Sequence, residues 1–158
     1  MGNGKNIEEK IYTTFAEVAA SIGYSPLHGR IIAALLVNDG ELSLKEIADK
    51  TGYSTSMISL SLDLLEVLGV IKKVKRVGDR NLYVSLQGDL LGILKNAIVM
   101  RITKNVSDTL VDFERSREQL QNLPEKDRKR IENTLNVLEK EIKRLEKYVN
   151  LLSGIRLP

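Results

Sequence analysis

The chain of 158 residues has no cysteine, no tryptophan, one histidine and three prolines, and only 4% of its residues are aromatic. Without cysteine there is no disulfide, no thiolate metal site and no sulfur nucleophile, and the count leaves the redox compartment open. The single histidine, His28, is accompanied by no H-E-x-x-H, G-x-S-x-G, P-loop or G-x-G-x-x-G sequence. The acids alternate with lysines in helical patterns, as solvated faces do. No catalytic set and no metal or other cofactor is therefore expected, and His28 reads as a surface or packing residue. Long apolar runs are missing too. The longest, Ile31 to Val37, is far short of a bilayer span. No charged-then-apolar leader opens the chain, and Asn6 breaks the myristoylation pattern. No membrane association and a cytoplasmic location are the expectation. Net charge is only +3, too small to identify a nucleic-acid partner by itself.

The 42% hydrophobic content is that of a folded protein, and the length suits one compact domain with an appended element. The informative stretch is Leu42 to Leu86. Ser43 and Glu46 form an S-x-x-E capping box that starts a helix, and Gly52 stands where that helix ends. After Tyr53, Ser54 caps a second helix whose apolar residues Ile58, Leu62, Leu65 and Leu68 fall on one face. Gly69 stops it. Val70 to Arg76 and Leu82 to Leu86 read as strands joined through Val77-Gly78-Asp79-Arg80. Glu41 and Leu42 supply a small first strand. Two short helices, a glycine turn and a basic hairpin make a winged helix-turn-helix. Lys72, Lys73, Lys75, Arg76 and Arg80 face one acid, Asp79, which gives the wing a local charge of +4.

The run from Ser43 to Leu86 resembles the DNA-binding part of MarR-type repressors. Its GDRNLY wing and the long helical tail are most similar to the GbsR branch, and the resemblance extends from about Ile7 to Leu152. It implies a homodimeric transcription factor, a repressor, in some members responsive to a small molecule. It names neither operator nor effector.

Before this stretch, residues 1–5 read as a flexible start. Ile7, Ile11, Phe15, Val18, Ala19 and Ile22 then keep a helical period up to Gly23. Ser25-Pro26 opens a second, strongly apolar helix that Asn38-Asp39-Gly40 breaks. After Gly88-Asp89, Leu91, Leu94, Ile98, Ile102, Val106, Leu110 and Phe113 hold one face of a long helix, which Pro124 interrupts. In the last helix Ile131, Leu135, Leu138, Ile142, Leu145, Val149 and Leu152 alternate steps of four and three, a heptad seam for self-association. Gly154 to Pro158 reads as frayed. The fold class is mainly α: an α+β winged helix-turn-helix over residues 6–88, followed by long dimerisation helices over 89–153.

Removing the core stripe from the second helix leaves Thr55, Ser56, Met57, Ser59, Leu60 and Asp63 outward. The hydroxyls suit any base edge, and Met57 and Leu60 suit thymine methyls. Residues 54–68 hold no lysine or arginine, so the arginine–guanine contact is not available from this helix. Affinity then rests on backbone contacts: the amide-rich start at Ser54, Lys45 and Arg30 on flanking phosphates, and Arg76 and Arg80 on the wing. Lys73 and Lys75 share one strand parity and are the pair expected to face DNA. The partners read from the sequence are double-stranded DNA, a second copy of the chain and a small-molecule effector. The alternative is a winged-helix adaptor that binds other proteins, for which the cation-free helix argues.

Overall fold

The computed structural model describes residues 2–158. They fall into two compact units divided between Leu94 and Lys95. The element order is α1 (Gly2–Ser21), α2 (Pro26–Val37), β1 (Glu41–Ser43), α3 (Leu44–Thr51), α4 (Thr55–Val67), β2 (Ile71–Lys75), β3 (Leu82–Leu86), α5 (Leu90–Leu120) and α6 (Glu125–Gly154). This is the mainly helical winged-helix class, with one small sheet.

Local chemistry sets the helix boundaries of the first unit. Ser43 Oγ accepts from the Glu46 amide while Glu46 Oε2 accepts from the Ser43 amide at 2.7 Å, a complete capping box for α3. The Ser43 amide, with the Ser43 hydroxyl second, holds the Glu46 carboxyl below its ordinary value. Gly52 closes α3 with a left-handed φ of 77°. At α2, Ser25 is the N-cap and Pro26 the first helical residue. His28 completes that cap: its Nδ1 accepts from the Ser25 amide at 3.2 Å, and its ring meets Tyr24 edge to face. His28 is thus a structural acceptor, a role that the sequence reading did not give it.

The three strands are antiparallel in the order β1-β3-β2. The register places Leu42, Val84 and Lys73 in one row, with Ile71 and Lys75 on the same face of β2. Leu42, Val84 and Ile71 are buried, so this is the core face of the sheet. Against it pack Ile31, Leu35, Ile47, Ile58, Leu62, Leu65 and Val70, all essentially without solvent contact. Ile93, the fourth residue of α5, completes this core. Gly29 is where α1 and α2 approach most closely: a Cβ there would lie 2.0 Å from the Phe15 carbonyl oxygen.

Two expectations for α1 are corrected. Residues 2–5 are helical and not a flexible start. The helix runs through Asn3, Gly4 and Asn6 in spite of their low helix propensity, and Gly2 and Gly4 meet nothing. Ile7 and Val18 are exposed, whereas Tyr12 and Ala19 are buried. Ile11, Phe15, Ala19 and Ile22 of the predicted stripe do turn inward, and Tyr12, packed under Arg30, joins them in place of Ile7 and Val18.

In the second unit, Arg117 of α5 bonds to Glu139 and to Asn136 Oδ1 of α6. The Lys95 ammonium reaches the Ile155 carbonyl at 2.6 Å. The two helices therefore run antiparallel, turned by Leu120–Pro124. Of the end expected to fray, Gly154 is still helical and the Ile155 carbonyl is held by Lys95, while residues 155–158 lie outside any element and are exposed. Leu135 and Val149 of the heptad seam are buried, but Leu138 and Leu145 remain 45% and 39% exposed. Leu91, placed on the inward face of α5 by its periodicity, is exposed. Glu139 accepts from both Arg117 and Lys143, which holds its carboxyl below the ordinary range, Lys143 contributing most. Among the described residues no helix is long and apolar enough to cross a membrane.

Candidate nucleic-acid interface

The candidate site is built from α4 and the loop between β2 and β3. Gly52 turns the chain, and Ser54 opens α4 by accepting the Met57 amide on Oγ at 3.3 Å. Ile58, Leu62 and Leu65 then anchor the helix to the core. That anchoring fixes what remains outside: Thr55, Ser56, Met57, Ser59, Leu60 and Asp63 are all exposed. Ser54 is exposed as well, with its oxygen engaged as the cap. The first two turns therefore present free amides and the hydroxyls of Thr55, Ser56 and Ser59, with Met57 and Leu60 standing among them, Leu60 at 74% exposure. Beyond them Leu64 and Val67 prolong the exposed apolar stripe.

The wing is held in shape by a chain of polar contacts. Gly78 takes the left-handed turn position at φ 78°. Asp79 accepts from the Asn81 amide at 2.9 Å and from the Tyr83 hydroxyl at 2.8 Å. The Asn81 amide, with Tyr83 second, holds the Asp79 carboxyl below its usual range, and Asp79 in turn raises the Tyr83 phenol. Arg76 lies over the Tyr83 ring, 3.8 Å from its centroid, and pairs with Glu41 of β1. The wing is thereby tied to the strand that leads into α3.

The cations separate into two groups. Lys73 bonds to Asp63 of α4 at 2.5 Å and lies 3.4 Å from Glu66. Its ammonium pKa is raised, the Asp63 hydrogen bond being the main cause. Arg76 is engaged by Glu41 and Tyr83. Arg30, expected beside a phosphate, donates to both carboxylate oxygens of Glu9 at 2.8 and 3.0 Å and stacks over Tyr12. The reason in each case is the fold: the core face of β2 brings Lys73 under α4, and the α1–α2 contact encloses Arg30. The second group is Lys45, Lys72, Lys75 and Arg80, which are exposed and in no ion pair among the described residues. Lys73 and Lys75 share a face as their parity requires, yet only Lys75 extends past the core.

The sequence reading missed the clamp from Lys73 to Asp63 and Glu66. A signal for it was present, since the two acids sit three apart on the helix immediately before β2. It also missed the exposure of Val67 and Val77. Among the described residues no cluster of histidine, aspartate or glutamate is arranged to hold a metal ion.

No protein-family model and no curated protein matches the chain. Solved structures do. A crystallised transcriptional regulator matches with a TM-score of 0.67 at 21% identity, covering 93% of this chain and 95% of its own. YusO from Bacillus subtilis matches at TM-score 0.42 and 18% identity, over 85% and 86% of the two chains. A mutant MarR from E. coli complexed with operator DNA matches at TM-score 0.42 and 13% identity, over 84% and 86%. The first likeness shows that the winged-helix fold is shared over nearly the full length of both chains.

Proposed function

We propose that this chain is a DNA-binding transcriptional regulator of the MarR type, in its GbsR branch, acting as a homodimer and as a repressor rather than as an enzyme. One observation carries the reading. A helix with an uncharged, hydroxyl-lined first turn projects from a rigid core, and the wing attached to it carries Lys75 and Arg80 unpaired. Residues 6–88 would bind the duplex and residues 89–153 would pair the protomers through the α6 seam. A two-fold axis then imposes a pseudo-palindromic site with half-sites about 34 Å apart. The shared fold with a transcriptional regulator accords with this function. A small-molecule effector that alters the half-site spacing, and a cytoplasmic location, belong to the same reading.

The test is a mobility shift of the full chain on random-sequence duplex DNA across a salt series. Affinity should fall steeply with salt. Changing Lys75 and Arg80 to alanine should flatten the log–log slope by about 0.9 for each phosphate contact removed. Absence of binding at low salt would end the proposal.

A second reading has one specific support: Met57, Leu60, Leu64 and Val67 form an exposed apolar stripe on α4. A protein-binding adaptor would bury that stripe against a partner. It predicts association that is indifferent to salt and to DNA.

A further inference from the structure

Resting on the DNA reading, we infer that α4 selects its site by thymine methyl groups, with Met57 and Leu60 as the residues that determine specificity. The face that meets a major groove here has a composition that excludes the other modes of readout. It contains no arginine or lysine to bond guanine and no asparagine or glutamine to bond adenine. Its two acids would be the natural acceptors for a cytosine amino group, and both lie against the Lys73 ammonium, at 2.5 Å for Asp63 and 3.4 Å for Glu66. The clamp engages Asp63 and partly neutralises the acids that would otherwise repel phosphate. What remains is hydroxyl and hydrocarbon. Hydroxyls bond to any base edge, so they position the helix without choosing a sequence. The hydrocarbon does choose, because the thymine C5-methyl is the apolar group of the groove floor.

The spacing fits. Met57 and Leu60 are three residues apart on one helix face, about 4.5 Å along the axis. Neighbouring base pairs are about 3.4 Å apart. Two side chains at that separation reach the methyls of adjacent or next-adjacent pairs. The occupant is duplex DNA and not a protein because the stripe begins at the open N-terminal turn and is accompanied by the unpaired cations Lys45, Lys75 and Arg80.

Full-length protein is used to enrich duplexes from a random-sequence library. The enriched sequences are then remade with deoxyuridine in place of single thymines, which removes only the methyl group. Enriched half-sites should contain thymine at neighbouring positions, and each contacted methyl removed should weaken binding roughly fourfold, the worth of one buried carbon. In Met57→Ala and Leu60→Ala the preference for thymine over deoxyuridine should vanish while the salt slope is kept. Both residues are exposed, so an unchanged melting temperature should accompany the loss. Binding that keeps its salt slope but ignores the methyl, or sites enriched in G·C, would overturn this inference and leave the DNA reading standing. Failure to enrich any duplex would overturn both and return the stripe to a protein partner.

Discussion

The two units of the molecule bury their apolar residues to different degrees. In the first, α2, α3, α4 and the sheet close over Ile31, Leu35, Ile47, Ile58, Leu62 and Val84 until none is in contact with solvent. In the second, the cleanest heptad pattern of the chain leaves Leu138 and Leu145 in the open, with Val137, Tyr148 and Leu151 exposed on the same helix. A regular hydrophobic repeat states that a helix has an apolar side. It does not state that this side is covered within one chain. Two antiparallel helices leave such a stripe partly open, and in the proposed homodimer the seam of a second copy would close it.

That contrast can be broken most directly by matched truncations. Leu62→Ala opens a cavity in a closed core and should cost about 3 kcal/mol of unfolding free energy at any protein concentration. Leu145→Ala should change the unfolding of the isolated protomer little and weaken the proposed dimer about tenfold or more. Denaturant melts and sedimentation across a concentration series separate the two. A concentration-independent loss at Leu145 equal to that at Leu62 would make the seam an intrachain core.

Within the first unit, Gly29 sharpens the same point at the α1–α2 contact. Helix propensity alone makes glycine to alanine a gain of about 1 kcal/mol. At Gly29 the added carbon meets the Phe15 carbonyl, and the overlap should outweigh that gain with a net loss of about 1–3 kcal/mol. Gly4→Ala, in open solvent on α1, should give the gain without the loss. Thermal melts of the two variants should move in opposite directions.

The smallest effect is expected at His28, where burial holds the imidazole pKa below 6.5. The neutral ring accepts the Ser25 amide, and a protonated ring has no lone pair to accept with. The folded value lies below the unfolded one, so this contribution is complete above about pH 6.5 and is lost as pH falls through that value toward the folded one. It should amount to about 1 kcal/mol or less, the scale of one cap. His28→Gln keeps an acceptor that does not titrate, so the pH dependence of its melting temperature between about pH 8 and 5.5 should be flatter than that of the parent. Parallel curves would place the proton elsewhere.

Much of the winged unit was legible because its instructions are local. Ser43 with Glu46, Gly52, Ser54, Gly69 and Gly78 each act within a few residues, and all of them perform the predicted turn or cap. The outward set on α4 followed from the core stripe for the same reason. What was not legible depended on pairing across the sequence. Strand parity alone put Lys73 and Lys75 together, but only the row Leu42–Val84–Lys73 shows that Lys73 lies on the core face, within reach of Asp63. Arg30 with Glu9 and Arg76 with Glu41 join residues 21 and 35 apart, beyond any periodic signal. His28 was the reverse case. Its contact is local, but histidine replaces the glutamate or glutamine of the usual capping box.

The bracing of the wing has a consequence for the timing of recognition. Glu41, Arg76, Tyr83 and Asp79 link the flap to the strand that precedes α3, so under the proposed function flap and α4 would reach a duplex already assembled. Little backbone freedom remains to be surrendered on docking, and that conserved entropy lowers the threshold for a first encounter. Cutting the Arg76–Glu41 link would then slow arrival on DNA before it hastened departure.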